Sequence, residues 1–470
     1  MDNRVAGRFS LQRARYGALV VAHFMTGACS GGGSSDDTPV AEVTVAPEIT
    51  AWLRREAIPF ETPLVRDDRR DLEGLGALIG DARVVSLGEA THGTREFFQM
   101  KHRILDYLVK EKGFTHFAME ASWPEMNRID DWVLGGKGDP EVLLSGQYFW
   151  TWRTSAVLTM MRWTREYNAS RGSAPPVHFL GFDMQHPGMA IYNVQQFLEP
   201  IDPEGATWAG ERYRCVDANS TSGAWPKWYT DRSETYQNEC RGNIDKVYEF
   251  LANRTALFEA ATSASAFARA LQSARLIQQF DDMAARRMDF ARDRAMAENI
   301  EWLLDHAGPE AKIVLWAHNM HVNDRRGATG SFLRDTFGSQ MIIVGFTFYE
   351  GEFIAETPSY YSTTSAPPGL DTQWVGPAPA QSYEWFFHEA GPRFILDLRN
   401  RDLRSPATSW LAGPRARRRI GTGFKPMEAY RYFVPNSQLP LEFDAMIFFD
   451  QGHHSNILPF VPPNRFDGTR

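Results

Sequence analysis

The chain is 470 residues long, 43% hydrophobic and 13% aromatic, and carries 50 basic against 58 acidic residues for a formal net charge of −8. That length accommodates one large domain with insertions or several smaller ones. An acidic balance with both signs interspersed argues against a nucleic-acid partner and describes an ordinary solvated surface.

The N-terminal stretch "MDNRVAGRFSLQRARYGALVVAHFMTGACSGGGSSDD" stands apart. It holds four arginines and no lysine, an apolar run from Tyr16 to Ala28, then Cys29 and a Gly/Ser/Asp tract. A basic start, a short apolar run and small residues before a cut site make an export signal. The run is too short to span a bilayer. "TGAC" before "SGGGSS" resembles a bacterial lipobox, with Thr26 where leucine is usual. We therefore expect a signal peptide over 1–28, a flexible tether over 29–50 and lipidation of Cys29, with plain cleavage and release as the alternative. The protein is expected to be exported, periplasmic or anchored in the envelope, and to meet the membrane only through that lipid. Export also bears on Cys215 and Cys240, which in an oxidising compartment are expected to pair as a disulfide. Closing a loop of about 25 residues contributes roughly 3 kcal/mol on the chain-entropy model.

Strands are predicted at "RVVSLGE" (83–89), "THFAMEA" (115–121), "VHFLGFDM" (177–184), "KIVLWAHN" (312–319), "MIIVGFTF" (341–348), "RFILDL" (393–398) and "DAMIFFD" (444–450). Their near-continuous apolarity is that of strands buried on both faces of a parallel sheet. Helices are predicted between them at 94–111, 125–134, 154–170, 189–198 and 332–337. The alternation gives an α/β fold, a three-layer α/β/α core with a mostly parallel sheet. The first part of that core spans 51–239, a helical insertion 240–306, and the second part 307–470. The Pro-, Ser- and Thr-rich span 350–392 reads as a loop.

In an open α/β sheet, ligands bind outside the carboxyl ends of the strands. Glu89, His92, Glu120, Asp183, His318 and His321 all follow or end predicted strands, so they are expected at one rim. Each has a plainer reading. Thr91 or Thr94 would cap the next helix, with Gly88 and Gly93 permitting the bend, and Glu120 would form a structural ion pair. Lys101 shares the apolar stripe of Phe97, Ile104 and Leu108, where an ammonium needs a partner, either Glu89 or Glu120, or must snorkel to the edge. His453 and His454 read as a surface loop. The convergent set admits two chemistries: Glu89, His92, Glu120, His318 and His321 as ligands of a divalent metal, or His92 as a general base acting on water without a cofactor. There is no H-E-x-x-H, G-x-S-x-G, G-x-G-x-x-G or P-loop pattern.

"LGEATHGTREFFQMKHRILDYLVKEKGFTHFAMEASW", "FLGFDMQ" and "VLWAHNMHV", in that order, resemble the erythromycin esterase family over about residues 55–450. The resemblance implies an α/β core with a helical insert and a small accessory α/β portion. It also implies hydrolysis of a carboxylic ester or macrolactone, a small-molecule substrate, by water activated on a histidine. His92 occupies that position, Glu89 precedes it by three residues, and Glu120, His318 and His321 match the family's other active-site acid and histidines. Lys101 stands where the macrolide esterases carry arginine, which keeps the charge but not the bidentate fork. On this reading Glu89 and Glu120 hold the imidazole, while Lys101, His318 and His321 bind the carbonyl and stabilise the oxyanion. Trp123, Trp150, Trp152 and Asp183 would line the pocket. The competing reading is an exported haem- or iron-binding lipoprotein with a similar strand–turn–helix and no turnover.

Overall fold

A computed structural model describes residues 43–147, 149–216, 227–286, 290–357 and 369–460. The expected signal peptide, Cys29 and most of the tether lie outside these residues. The body from Val45 onward forms one compact unit. Its strands are β1 (Ile58–Pro59), β2 (Val84–Leu87), β3 (His116–Ser122), β4 (His178–Asp183), β5 (Ile313–Trp316), β6 (Met341–Glu356), β7 (Leu370–Val375), β8 (Arg393–Asp397), β9 (Arg415–Arg418), β10 (Phe433–Ser437) and β11 (Ala445–Gly452).

The main sheet runs β1-β8-β11-β6-β2-β5-β3-β4, with β7 added to β6. From β11 to β4 every neighbouring pair is parallel. The antiparallel pairs are β1–β8, β8–β11 and β6–β7. Successive residues of each central strand serve opposite faces, as the two-residue period of a strand demands. Ile313 and Leu315 of β5 join one buried cluster with Leu180, Ile343 and Leu396. Val314 and Trp316 join the other with Phe117, Val344 and Ile395. The first cluster is closed by Val194, Ile277, Phe280, Ile300 and Leu304, the second by Phe97, Ile104, Met126 and Met160. Helices therefore cover both faces, and the fold is a three-layer α/β/α sandwich.

Several boundaries depart from expectation. A helix begins at Pro47, inside the span assigned to the tether, because proline suits a first helical position and Trp52 and Leu53 anchor the turn that follows. The helix expected over 189–198 is present as Gly188–Leu198, and further helices continue to β5. Within 240–306 the helix Ala291–Ala307 packs on β4, and the preceding helices pack on it, on one another and on Gly188–Leu198 and Pro203–Tyr213, within one apolar cluster. The span 350–392 is not simply a loop: β6 continues to Glu356, pairs with β7, and a helix follows at Tyr383–His388. The separate two-stranded sheet of β9 and β10, with a 3-10 turn at Pro426–Arg431 between them, forms the accessory element. Cys215 and Cys240 are joined in a disulfide, with Cα atoms 5.7 Å apart. Among the described residues no helix is long and apolar enough to cross a membrane.

Candidate active site at the carboxyl rim of the sheet

Because β2, β3, β4 and β5 are parallel neighbours, their carboxyl ends share one rim. At the end of β2 the chain turns through two tight glycines. A Cβ on Gly88 would stand 2.0 Å from Asn319 Oδ1, and one on Gly93 2.0 Å from the Ile354 carbonyl oxygen. Close approach, rather than an unusual φ, requires glycine at both positions. The helix Arg95–Lys112 follows without the expected threonine cap. Thr94 occupies the N-cap position but makes no capping bond, and the first free N–H, that of Arg95, donates to the His453 carbonyl at 2.8 Å. His453 also meets Glu96 through its backbone N–H and its Nδ1, each at 2.8 Å, which ties the loop after β11 to this helix.

Between those glycines lies Glu89, completely buried. Its Oε1 faces His92 Nδ1 at 2.7 Å, and its Oε2 accepts from Lys101 Nζ and Trp316 Nε1, each at 2.7 Å. Burial opposes ionisation of Glu89, yet the Lys101 ammonium and His92 hold its carboxyl below the usual range. Lys101 is equally buried, its ammonium 4.5 Å from the Trp316 ring centre and 4.9 Å from that of Phe346. Burial pushes its pKa down to about 8 against the pull of Glu89. An ionised Glu89 only accepts, so His92 donates from Nδ1, and in the neutral ring that tautomer leaves the lone pair on Nε2. The ring lies on the wall of a cavity of about 440 Å³, edge-on to Trp152 at 6.1 Å and tilted against His318 at 5.0 Å between ring centres.

A second carboxylate cluster contributes Glu120, Arg292 and His321 to the same cavity. Glu120, in β3, accepts from Arg292 Nη2 through Oε1 at 2.7 Å and from the His318 backbone N–H through Oε2 at 2.8 Å. Arg292 also grips the buried Asp183 through Nε at 3.2 Å and Nη2 at 2.7 Å. Burial raises the Glu120 pKa in isolation, but His321, Arg292 and His92 outweigh it and hold the carboxyl well below its usual range. His321 Nδ1 lies 2.8 Å from Asp293 Oδ1, and its Nε2 lies 2.9 Å from Arg292 Nη1 and 3.4 Å from Glu120 Oε1. A guanidinium only donates, so that contact suits the neutral ring. Burial favours the neutral form too, yet the Glu120 and Asp293 carboxylates raise the pKa overall. Protonation of His321 would exchange the Arg292 contact for Glu120. His318 is different: its Nε2 bonds the Ile420 carbonyl at 3.1 Å and its Nδ1 accepts from the Met320 N–H at 3.2 Å. Burial, reinforced by His92, pushes its pKa down to about 3.

The rim thus brings together Glu89, His92, Glu120, Asp183, His318 and His321, but several individual expectations need correction. Lys101 does not line the cavity; its ammonium is sealed beneath Glu89 and cannot reach a substrate carbonyl. Glu120 does not hold the His92 imidazole, since its hydrogen bonds go to Arg292 and His318. Trp152 lines the cavity, but Trp123 is a core residue packed edge-on to Trp302 at 5.5 Å, and Trp150 and Asp183 are not among the lining residues. Both ring nitrogens of His318 and His321 already have protein partners, and no group of three or more His, Cys, Asp or Glu among the described residues is arranged to hold a metal ion. Sequence reasoning missed Arg292 and Asp293, which sit in "ARDRAMAEN" and read there only as the polar side of a helix. It also missed Trp316, whose indole N–H looks apolar in a buried strand, and Arg419.

A family model for erythromycin esterase matches residues 109–452. The chain belongs to the erythromycin esterase family. The match takes in Glu120, Asp183, Arg292, His318 and His321 and begins beyond Glu89, His92 and Lys101. An Escherichia coli erythromycin esterase type II is 26% identical over 65% of this chain and 78% of its own length. A Bacillus subtilis protein named putative hydrolase YbfO is 23% identical over 77% of this chain and 84% of its own. Among solved structures, a Bacillus cereus protein superposes with a TM-score of 0.74 at 25% identity, covering 88% of this chain and 99% of that one. Membership of the erythromycin esterase family supports a hydrolase function and a small-molecule substrate.

Proposed function

We propose that this family member hydrolyses carboxylic esters, cyclic ones included, with His92 as general base. The carrying observation is the Glu89–His92 pair: a buried carboxylate fixes Nδ1 of a ring that lines the cavity. In the proposed reaction His92 Nε2 takes a proton from water as its oxygen bonds to the acyl carbon. The imidazolium then returns that proton to the departing alkoxide, leaving a carboxylic acid and an alcohol, or a hydroxy acid from a lactone. Lys101 and Trp316 act as positioning residues by holding Glu89 in place. The Arg292–His321 wall faces the cavity, and we assign it the developing negative charge on the carbonyl oxygen.

The reaction is proposed to proceed without a metal, supported by the protein hydrogen bonds already made by His318 and His321. The test is turnover of a panel of macrolides, simple lactones and open-chain esters by residues 30–470, with and without chelator, beside His92→Ala. Turnover that survives chelation and falls by about 10²–10⁴ in His92→Ala is the expected result. Loss on chelation would make these residues a metal site; stoichiometric haem or iron binding with no turnover would reverse the reading. We further propose export and lipid attachment at Cys29. Metabolic labelling with palmitate should mark the parent and not Cys29→Ser, and an unlabelled parent would contradict it.

A further inference from the structure

The cations around the catalytic cavity are matched by carboxylates. Lys101 is bound to Glu89, Arg292 to Asp183 and Glu120, His321 to Asp293, and Arg325 lies 3.8 Å from Glu442. Two guanidinium groups depart from this pattern. Among the described residues, the side chains of Arg326 and Arg419 have no ion pair or hydrogen bond. Both line a second cavity of about 520 Å³, together with Arg325, Phe290, Phe433 and one carboxylate, Asp293, which is already engaged by His321 and Thr329. That cavity adjoins the catalytic one, because Met320, His321 and Arg419 line both.

A solvated arginine on a surface is ordinary. Two of them lining one concave site, which shares a wall with the proposed general base's cavity, are less so in a chain of net charge −8. The local chain shows why Arg419 is free. Its neighbours in "RARRR" turn inward, Arg417 to Ser437 and Glu442 and Arg418 to the Phe348 and Tyr349 carbonyls. Arg419 is held by its backbone N–H to the Tyr432 carbonyl, which leaves its side chain to the two cavities. A planar guanidinium is suited to a bidentate grip on a carboxylate and is weakly hydrated, so it exchanges water for an anion readily.

We infer that the substrate is an ester bearing an anionic group, a carboxylate in the simplest case, which occupies the Arg419–Arg326 cavity while the scissile carbonyl occupies the cavity at His92. This rests on the ester-hydrolase reading above. It assigns these arginines to substrate selection, and it predicts discrimination against neutral and cationic esters of the same size.

The test compares 4-nitrophenyl hexanoate with the mono-4-nitrophenyl ester of adipic acid, which share a leaving group and acyl length and differ by one terminal carboxylate. The parent should favour the anionic ester in kcat/KM by on the order of tenfold, mainly through KM, since hydrogen bonds to charged groups are worth that factor or more. Arg419→Ala should collapse the ratio, Arg419→Lys restore part of it, and Arg326→Ala reduce it less. Calorimetric titration with adipate itself should show binding that weakens by a similar factor in Arg419→Ala. Equal use of the two esters, or an Arg419→Ala loss shared equally by both, overturns the inference while leaving an esterase. Arg419-dependent adipate binding with no ester turnover would instead keep the anion site and remove the hydrolase reading. Absence of adipate binding counts against the site.

Discussion

Glu89 and Glu120 are both buried carboxylates at the carboxyl rim of one sheet, yet they are built in different ways. Glu89 itself is sealed from solvent with Lys101 and Trp316, and two of its three partners come from its own segment: His92, which reaches the cavity, three residues on and Lys101 twelve residues on. Those of Glu120 are remote in sequence and border the cavity: His318 at a separation of 198 and Arg292 at 172. The first cluster is a local device that points one imidazole. The second is assembled by tertiary packing, and its cation comes from the helix Ala291–Ala307, which also supplies Asp293 to His321 and buries Met296, Ile300 and Leu304. In the proposed reaction the first cluster sets the direction of the proton transfer, and the second sets the charge of the cavity wall it lines.

That difference divides the effects expected of substitutions. The largest belongs to Lys101→Met, which leaves the Glu89 carboxylate buried without its ammonium. Breaking a buried pair from one side costs about 3–5 kcal/mol, read from denaturant midpoints. A loss below about 1 kcal/mol would mean that Trp316 and His92 suffice and that Lys101 is dispensable. An intermediate effect concerns acid. Burial pushes His318 down to about 3, and His102 and His116 to about 4, against an ordinary 6.5. The unfolded chain therefore takes up these protons first, so stability is lost as the pH falls below 6.5 toward 4. Urea midpoints at pH 7 and pH 5 should show that fall, and His102→Gln should flatten it; an unchanged slope would refute the assignment. The smallest effect runs the other way. Glu125 is buried beside the Ser122 hydroxyl, and burial lifts its pKa to about 7. Its folded value lies above the unfolded one, so its contribution is present below about 4.5 and lost as pH rises through 7. Glu125→Gln should therefore gain on the order of 1 kcal/mol at pH 8 relative to pH 5.

The same contrast explains what was legible in the sequence. Strands β2 to β5 and the helix Arg95–Lys112 announce themselves by unbroken apolarity and by a 3.6-residue stripe. Lys101 on that stripe called for a buried anion, Glu89 or Glu120, or a path to the domain edge, and Glu89 supplies the anion. The role first given to Lys101 was wrong because spacing places a residue on a face without saying how deep it lies. Arg292 was illegible, since nothing local separates a helix arginine that salts the surface from one that reaches two carboxylates on other strands. His318 was found as a residue, but its state depends on the Ile420 carbonyl, brought in from 102 residues away. The 350–392 span misled because proline- and serine-rich composition hid the continuation of β6 and its pairing with β7.

The most direct measurement of the central claim is a double-mutant cycle on kcat with Glu89→Gln, His92→Ala and the double variant, at a temperature where circular dichroism shows all to be folded. If Glu89 acts by orienting His92, each single change is costly and the double variant is no slower than His92→Ala. Losses that simply multiply in the double variant would contradict the account, because Glu89 and His92 would then act independently.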